Sequence, residues 1–405
     1  MLIEVLVALA VIVVTACLVG GLFERFHQPA VMGEVVAGII LGPSLLGRVA
    51  PELAAVLLPT ATMPFLGVLA QLGVILYMFL TGLELDLKEL RSRATTTMAI
   101  ATSSIVVPFG MGLILAKTLY GQLAPVGIGF TPFALFLGVA VSITAFPVMA
   151  RILGDQGLQR TPLGIVALTC AAINDVAAWC LLAVVVGVTQ ATFSAAIQTI
   201  VLTVAYIALT LTAGKELMVV LVNRVGATTS VGERSLALVL VAVLLSAAAT
   251  ELIGIHAMFG AFLLGAMIPH ESVIATYVTR RLDGIVRVMF LPVFLAFMGL
   301  RTQLSPVQTT NDWLLCGVFI AVGTIGKSGG AAVAAMLAGL HWRDSAALGI
   351  LMNTRGLVEL IVLNIGLDLG VISPRLFSML VIMAIATTLM TAPILRALLH
   401  RRPWS

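Results

Sequence analysis

Long apolar runs, cut by short polar stretches, follow one another along the whole chain and limit what it can fold into. A helix needs about 20 consecutive apolar residues to cross a bilayer, and about thirteen windows meet or approach that length. Hydrophobic residues make up 60% of the sequence and charged residues 10%, whereas soluble domains have about 45–50% and about 25%. A water-soluble enzyme is therefore excluded, and an all-α polytopic membrane protein is predicted. The predicted spans lie near 2–22, 31–46, 64–83, 95–116, 133–152, 163–187, 193–213, 235–253, 256–269, 285–300, 313–338, 344–366 and 372–395.

The basic residues are divided unequally between the two sets of loops that these spans define. One side has sixteen of the 22 lysines and arginines: Arg25, Lys88, Arg91, Arg93, Arg151, Arg160, Lys215, Arg224, Arg234, Arg280, Arg281, Arg287, Arg343, Arg396, Arg401 and Arg402. The other side has only Arg48, Lys117, Arg301 and Arg375. Because basic loops stay in the cytoplasm, the N-terminus is predicted outside and the C-terminus in the cytoplasm. We expect the membrane to be a bacterial inner membrane.

The remaining composition argues against other classes of protein. The net charge of +4 is spread over loops without clusters of basic and aromatic residues, so no nucleic-acid partner is expected. Glu34 and Glu251 lie near span ends and are expected to face water, and His256 is expected at the membrane interface. No cofactor is expected, and the chain is read as one membrane domain, 1–405, without a C-terminal soluble regulatory domain.

Two pairs of short segments suggest an internal repeat. The sequence F-L-T-G-L-E-L-D-L at 79–87 resembles A-F-M-G-L-R-T-Q-L at 296–304, and A-G-I-I-L-G at 37–42 resembles G-A-F-L-L-G at 260–265. Each match relates spans seven apart, so the two copies would have opposite orientations in the membrane. We therefore predict an inverted repeat, about 1–190 and about 234–396, joined by a linker helix at about 193–213, as in many secondary transporters.

Asp175 is an acidic residue in the middle of a predicted span. It lies in A-A-I-N-D-V-A-A-W, about ten residues from either end of its apolar window. Burying an unpaired carboxylate costs several kcal/mol, so the group must be neutral or compensated. A protonated aspartate that only joins two helices would satisfy this cost. We favour a functional intramembrane carboxylate.

Two spans contain signs of a broken helix. In S-I-T-A-F-P-V at 142–148, Pro147 removes a backbone donor, and Ser142 and Thr144 offer hydroxyl groups. In N-T-R-G at 353–356, polar residues and a glycine interrupt an otherwise apolar run. These spans are also seven apart. Broken helices at membrane depth are tolerated where they line a cavity or are buried in protein, so both breaks point to a site near the midplane.

Three further charged residues lie within the spans. Arg355 and Glu359 are four residues apart and share a helix face; they could form a self-neutralising structural pair or contact the ligand directly. Lys327, in G-T-I-G-K-S-G-G, needs an acceptor, either a carboxylate or the carbonyl groups of a broken helix.

Hard oxygen ligands around one negative charge suit a partly dehydrated monovalent cation and lack the carboxylates of a dedicated divalent site. Because burial penalises a charged carboxylate, a proton and a cation can compete for Asp175. Such competition, combined with alternating access, is cation/proton exchange.

Six motifs give the chain a resemblance to a known family. They are Q-P-A-V-M-G-E-V-V-A-G-I-I-L-G-P-S-L-L-G (28–47), F-L-T-G-L-E-L-D (79–86), S-I-T-A-F-P-V (142–148), A-A-I-N-D-V-A-A-W (171–179), G-K-S-G (326–329) and N-T-R-G-L-V-E-L-I-V-L-N-I-G (353–366). With these motifs the whole chain resembles the cation:proton antiporter-2 branch of the monovalent cation/proton antiporters. That branch includes bacterial sodium– and potassium–proton exchangers and plant cation/proton exchangers.

The resemblance implies the sodium/proton antiporter fold, with two crossed, discontinuous helices in a core domain and a separate dimerisation domain, hence a homodimer. It implies that Asp175, preceded by Asn174, carries the cation and the proton. Ser142 and Thr144 would lie at the first unwound stretch, and Arg355 and Glu359 at the second. Lys327 would match the basic residue of the following core helix.

Two other classes of function stay open on the sequence. One is a symporter of organic anions or ions on the same architecture, and the other is a non-transporting membrane enzyme or sensor. No enzymatic activity is predicted, because the sequence contains no nucleophile–base pair or metal cluster. The choice between sodium and potassium depends on cavity dimensions that the sequence does not contain.

Overall fold

A computed structural model describes residues 1–26, 28, 30–84, 94–190, 193–214, 232–269, 271–300 and 307–399, and all regular secondary structure in these ranges is helical. The first half contains α1 (Leu2–Arg25), α2 (Ala30–Leu41), α3 (Met63–Leu83), α4 (Ala94–Leu123), α5 (Phe130–Ser142), α6 (Phe146–Asp155) and α7 (Pro162–Gln190). The second half contains α8 (Phe193–Leu209), α9 (Glu233–Ile253), α10 (Ala257–Met267), α11 (Val273–Ile285), α12 (Leu291–Leu300), α13 (Thr310–Thr324), α14 (Gly330–Leu337), α15 (Trp342–Met352), α16 (Leu357–Asp368) and α17 (Pro374–Leu399). Short helices at Leu46–Val49 and Pro51–Leu57 and a 3₁₀ turn at Thr60–Thr62 precede α3.

Wide π-helical turns join some of these helices into longer ones. Val286–Phe290 connects α11 to α12, Ile325–Gly329 connects α13 to α14, and Thr210–Gly214 follows α8. Within the described ranges, eleven helical segments are long and apolar enough to cross a membrane, and α10 is a shorter apolar helix. The predicted count of thirteen is therefore not confirmed. One reason is that the window predicted at 344–366 consists of two half-length helices, α15 and α16.

The helices form two packed groups. The scaffold group comprises α1–α3 and α9–α12, with α2 against α12 and α3 against α10. The core group comprises α4–α7 and α13–α17, and α8 lies between the C-terminus of α7 and α9. Strongly apolar helices pack closely in both groups, so the interior of the molecule is built from helix–helix contacts throughout.

Glycines set the closest approaches in the scaffold group. A Cβ on Gly38 of α2 would lie 1.9 Å from the carbonyl oxygen of Ala296 in α12, and one on Gly265 of α10 would lie 2.3 Å from that of Phe79 in α3. The two contacts join the four segments of the sequence matches, 37–42 with 296–304 and 260–265 with 79–87. Each contact therefore joins a segment of one predicted copy to a segment of the other. The inverted repeat stays a prediction, and 85–87 and 301–304 of its motifs lie outside the described residues.

The two predicted helix breaks are present, and they cross each other. The first, Ile143–Ala145, is extended between α5 and α6, and Pro147 stands in the first turn of α6, where a missing N–H costs little. The second, Asn353–Gly356, separates α15 from α16. The N–H of Ala145 donates to the carbonyl oxygen of Thr354 at 2.8 Å. This hydrogen bond brings four helix ends together inside the core group.

Candidate ion-binding site

Asp175 lies within α7, beside the crossing of the two breaks. Its side chain is buried, and among the described residues neither carboxylate oxygen has a hydrogen-bond partner. The ammonium group of Lys327 and the backbone N–H of Phe146 are the groups that attract its negative charge. Phe146 begins α6, so the positive end of that helix faces the carboxylate. Asp175 is thus a buried acid whose oxygens are free to take a proton or a cation.

Asn174, the preceding residue, has the opposite environment. Its Nδ2 donates to the hydroxyl of Ser104 at 2.9 Å and to the hydroxyl of Thr144 at 3.2 Å. The Thr144 hydroxyl in turn donates to the carbonyl oxygen of Met352, at the end of α15. Asn174 therefore positions the first break against the second. Ser104, on α4, was not predicted, because a serine in an apolar helix gives no signal that a distant asparagine will reach it.

Lys327 is fully buried in the π-helical turn between α13 and α14. It donates to the carbonyl oxygen of Ser104 at 3.1 Å and to that of Ser142, the last residue of α5. The Ser142 hydroxyl donates to Val139 within its own helix, at 2.9 Å. The acceptors of Lys327 are thus backbone carbonyl groups, one of them at the broken helix end, as the sequence led us to consider.

Arg355 stands in the second break and is also buried. Its two Nη atoms donate to the carbonyl oxygens of Ala140 and Val141, at 2.9 Å and 2.6 Å, and one of them also reaches Glu359 at 3.2 Å. Both carbonyl groups belong to the last turn of α5, whose unpaired carbonyls and negative helix end attract cations. The structure therefore contains the predicted Arg355–Glu359 pair, with the end of α5 as a further partner.

Thr388 of α17 holds the backbone of the second break. Its hydroxyl accepts from the N–H of Arg355 at 2.8 Å, and it lies 3.0 Å from the Arg355 carbonyl oxygen and 2.8 Å from that of Ala384. Sequence reasoning did not identify this residue, since threonines are common in membrane helices and nothing local marks its partner.

The expectation that Glu34 faces water was wrong. This side chain of α2 is buried in the fold, 6% exposed, with its Oε1 3.8 Å from Nη2 of Arg151 on α6. Arg151 also pairs with Asp155 at 3.1 Å. Glu34 lies near a span end, as expected, but α6 of the core group packs over it.

The site combines two features that define a class of protein. Discontinuous helices cross near the middle of a helical membrane bundle, and a buried carboxylate lies beside the crossing, which is the arrangement of an ion-coupled secondary transporter. Within the described residues, no three His, Cys, Asp or Glu side chains are grouped as a metal ion of higher charge would require.

Comparison with known proteins identifies the family. Residues 12–400 match the family model described as the transmembrane sodium/hydrogen exchanger, and the chain belongs to this family. It is 43% identical over 392 residues to the Na(+)/H(+) antiporter NhaS4 of a Synechocystis strain, covering 96% of both chains. It is 36% identical to cation/H(+) antiporter 17 of Arabidopsis thaliana and 33% identical to K(+)/H(+) antiporter 1 of Saccharomyces cerevisiae, covering 96% and 92% of this chain but 47% and 44% of theirs.

The fold agrees with the family. The structure of the sodium proton antiporter MjNhaP1 from Methanocaldococcus jannaschii matches with a TM-score of 0.70 at 14% sequence identity, covering 98% of this chain and 96% of that one. Family membership confirms the resemblance noted in the sequence and the prediction of cation/proton exchange across a membrane. The structural match confirms the predicted antiporter fold.

Proposed function

We propose that this protein exchanges a monovalent cation, sodium or potassium, for protons by alternating access at Asp175. The observation that carries the proposal is the state of this side chain: a fully buried carboxylate beside two crossed helix breaks, with no hydrogen bond to any described residue. Leaving a charge in such a place is costly. A proton or a bound cation each removes that cost, so the site passes from one to the other.

The neighbouring groups divide the remaining tasks. Asn174 and Thr144 hold the first break in place through their hydrogen bonds, and oxygen atoms at this break, with Ser142 at its start, are available to a cation that has lost part of its water. Lys327 and Arg355 neutralise the carbonyl end of α5. Both cations therefore stabilise the broken helices.

The charge count predicts one-for-one, electroneutral exchange. Asp175 can be neutralised by one proton or by one monovalent cation, and Asn174 beside it does not titrate. The loaded site then has the same charge in both halves of the cycle. Membrane potential acts on net charge moved, at about 2.3 kcal/mol per elementary charge per 100 mV, so exchange would not respond to an imposed potential.

The relatives differ in the cation that their names give. NhaS4 is named for sodium, the yeast protein for potassium, and the Na(+)/H(+)-K(+) antiporter GerN of Bacillus cereus, 28% identical over 388 residues, for both. We therefore extend only the class, monovalent cations, to this chain. We further propose a homodimer in a bacterial inner membrane, with the N-terminus outside and the C-terminus in the cytoplasm.

The test is proton flux in proteoliposomes with lithium, sodium, potassium or rubidium supplied in turn. Asp175→Asn should reduce cation-driven proton movement to the background of empty liposomes, because an amide cannot release a proton or neutralise a cation. Asp368→Asn, at an exposed carboxylate, is the matched control and should transport normally. Exchange by Asp175→Asn above a few per cent of the unmodified protein would refute the assignment, and uptake of labelled organic anions would indicate symport instead.

A further inference from the structure

A ring contact joins the core group to the scaffold group above the ion site. Trp179 lies four residues after Asp175 on α7, so the two side chains share one face of that helix. The indole meets the imidazole of His256, which caps the N-terminus of α10, with ring centroids 5.7 Å apart and planes inclined by 41°. One ring thus belongs to the group that carries Asp175 and the other to the group that packs against it.

The two rings lie between two cavities. Trp179 lines a cavity of about 260 Å³ together with Gln190, Thr199 and Gly254, at the end of α7 where α8 begins. His256 lines a second cavity, of about 70 Å³, with Asn364 of α16. Both cavities are lined mainly by apolar residues, with a polar side chain such as Gln190 or Asn364 in each wall, and both have room for water. Of the α7 residues that line the larger cavity, Trp179 lies nearest to Asp175 along the helix, so the ring contact stands at the end of this cavity that faces the ion site.

The two partners are held differently. His256 is buried, and its Nδ1 accepts a hydrogen bond from the N–H of Met258 at 3.3 Å, which fixes the ring. The indole Nε1 of Trp179 is buried without a hydrogen-bond partner among the described residues. A buried donor left unpaired costs free energy, so water reaching the indole would favour a displaced Trp179, whereas the imidazole stays in place.

We propose that the contact between Trp179 and His256 is a gate that closes the route from the Gln190 side of the membrane to Asp175. Trp179 moves when the gate opens, whereas the ring of His256 stays in place. This inference rests on the proposed function only in taking Asp175 as the end of the route. The gate is steric, because the packed indole and imidazole rings obstruct the passage of a hydrated monovalent cation.

The test measures access to position 175 without requiring transport. In a background with the four native cysteines replaced by alanine, Asp175→Cys is treated from each side of sealed vesicles with the impermeant cation 2-(trimethylammonium)ethyl methanethiosulfonate. Gln190→Cys, in the cavity before the gate, identifies the side and serves as the matched control. Each probe is combined with Trp179→Ala, Trp179→Phe or His256→Asn; asparagine keeps a helix-capping acceptor but removes the ring.

Trp179→Ala and His256→Asn should each speed labelling of Asp175→Cys from the Gln190 side by about tenfold or more, as expected when a gate is removed. Trp179→Phe, which keeps a ring, should leave that rate near its original value. Labelling of Gln190→Cys should not change in any variant, because this exposed position lies before the gate. If both ring-removing variants leave the labelling rate of Asp175→Cys unchanged, the gate proposal is wrong. That conclusion would hold even if exchange by the unmodified protein depends on Asp175. Conversely, if Asp175 proved not to carry the cation and the proton, the labelling result would still test the gate.

Discussion

Two adjacent residues of α7, Asn174 and Asp175, show how strongly the environment of a side chain determines what it can do. Neither residue is more than 2% exposed. The amide of Asn174 is tied to Ser104 and Thr144, whereas the carboxylate of Asp175 has no hydrogen bond in the described part of the chain. The first is therefore suited to positioning and the second to exchange.

This difference predicts the effect of a second carboxylate. Asn174→Asp adds a group that can bind a second proton beside Asp175, so two protons would move against one cation and exchange would become electrogenic. Current from proteoliposomes on a solid-supported membrane measures this: the unmodified protein should give proton flux without steady current, and the variant should give current that reverses with potential. The substitution also removes two amide donors, so a loss of stability of about 1–3 kcal/mol is expected.

Asn311→Asp, which adds a carboxylate at an exposed position, is the control, and its exchange should remain electroneutral. A steady current from the unmodified protein would contradict the one-carboxylate argument and point to proton release by Lys327.

At the scale of elements, the crossing depends on cations that satisfy broken helix ends. Arg355 joins the second break to the carbonyl groups of Ala140 and Val141 in the first broken span, and Thr388 fastens its backbone to α17. Neither break has a continuous helix to satisfy its own carbonyl groups. These side chains therefore replace backbone hydrogen bonds that the helices gave up.

Arg355→Met should consequently lower the free energy of unfolding by about 3–5 kcal/mol, because it leaves Glu359 and two carbonyl groups without their buried partner. Arg355→Lys should restore only part of this, since an ammonium group lacks the fork that reaches both carbonyls. Unfolding in detergent with temperature or denaturant measures the effect. Arg48→Met, at an exposed residue outside the core group, should change stability by less than about 0.5 kcal/mol; an equal loss there would show that the assay does not report the crossing.

The closest helix approach in the scaffold group gives a second prediction for elements. A Cβ on Gly38 would lie 1.9 Å from the carbonyl oxygen of Ala296, so Gly38→Ala must separate α2 from α12 and should destabilise the protein by about 1–3 kcal/mol. Gly21→Ala on α1, where nothing lies within 4 Å of the added atom, should be neutral or slightly stabilising. Thermal unfolding of the two variants measures this difference. Equal unfolding temperatures for Gly38→Ala and Gly21→Ala would contradict the packing argument.

For the whole molecule, the distribution of basic residues predicts the orientation in the membrane. Eight of the residues that carry this argument, Lys88, Arg91, Arg93, Lys215, Arg224, Arg301, Arg401 and Arg402, lie outside the described residues, so the orientation depends on the sequence. A protease added to intact cells should remove an N-terminal tag and leave a C-terminal tag protected. The same result for both tags would mean an even number of spans, one more or one fewer than the predicted thirteen, whereas the reverse pattern would mean the opposite orientation in the membrane.

The sequence by itself determined the features whose physical cause is local. Lengths of apolar runs determine that the chain lies in a membrane, and a proline or a polar stretch inside such a run breaks the helix wherever it occurs. The free-energy cost of a carboxylate at membrane depth likewise depends on its position in the span, so Asp175 could be identified without a structure.

Only the tertiary structure decided which groups meet. The hydrogen bonds of Asn174 with Ser104, of Lys327 with Ser142 and of Arg355 with Ala140 join residues 70, 185 and 215 positions apart in the chain. Such partners depend on which helix faces pack together, and a strongly apolar helix has few polar residues to mark its inner face. The same reason explains why Glu34 was expected to face water, and why the contact between Trp179 and His256 became visible only in the folded structure.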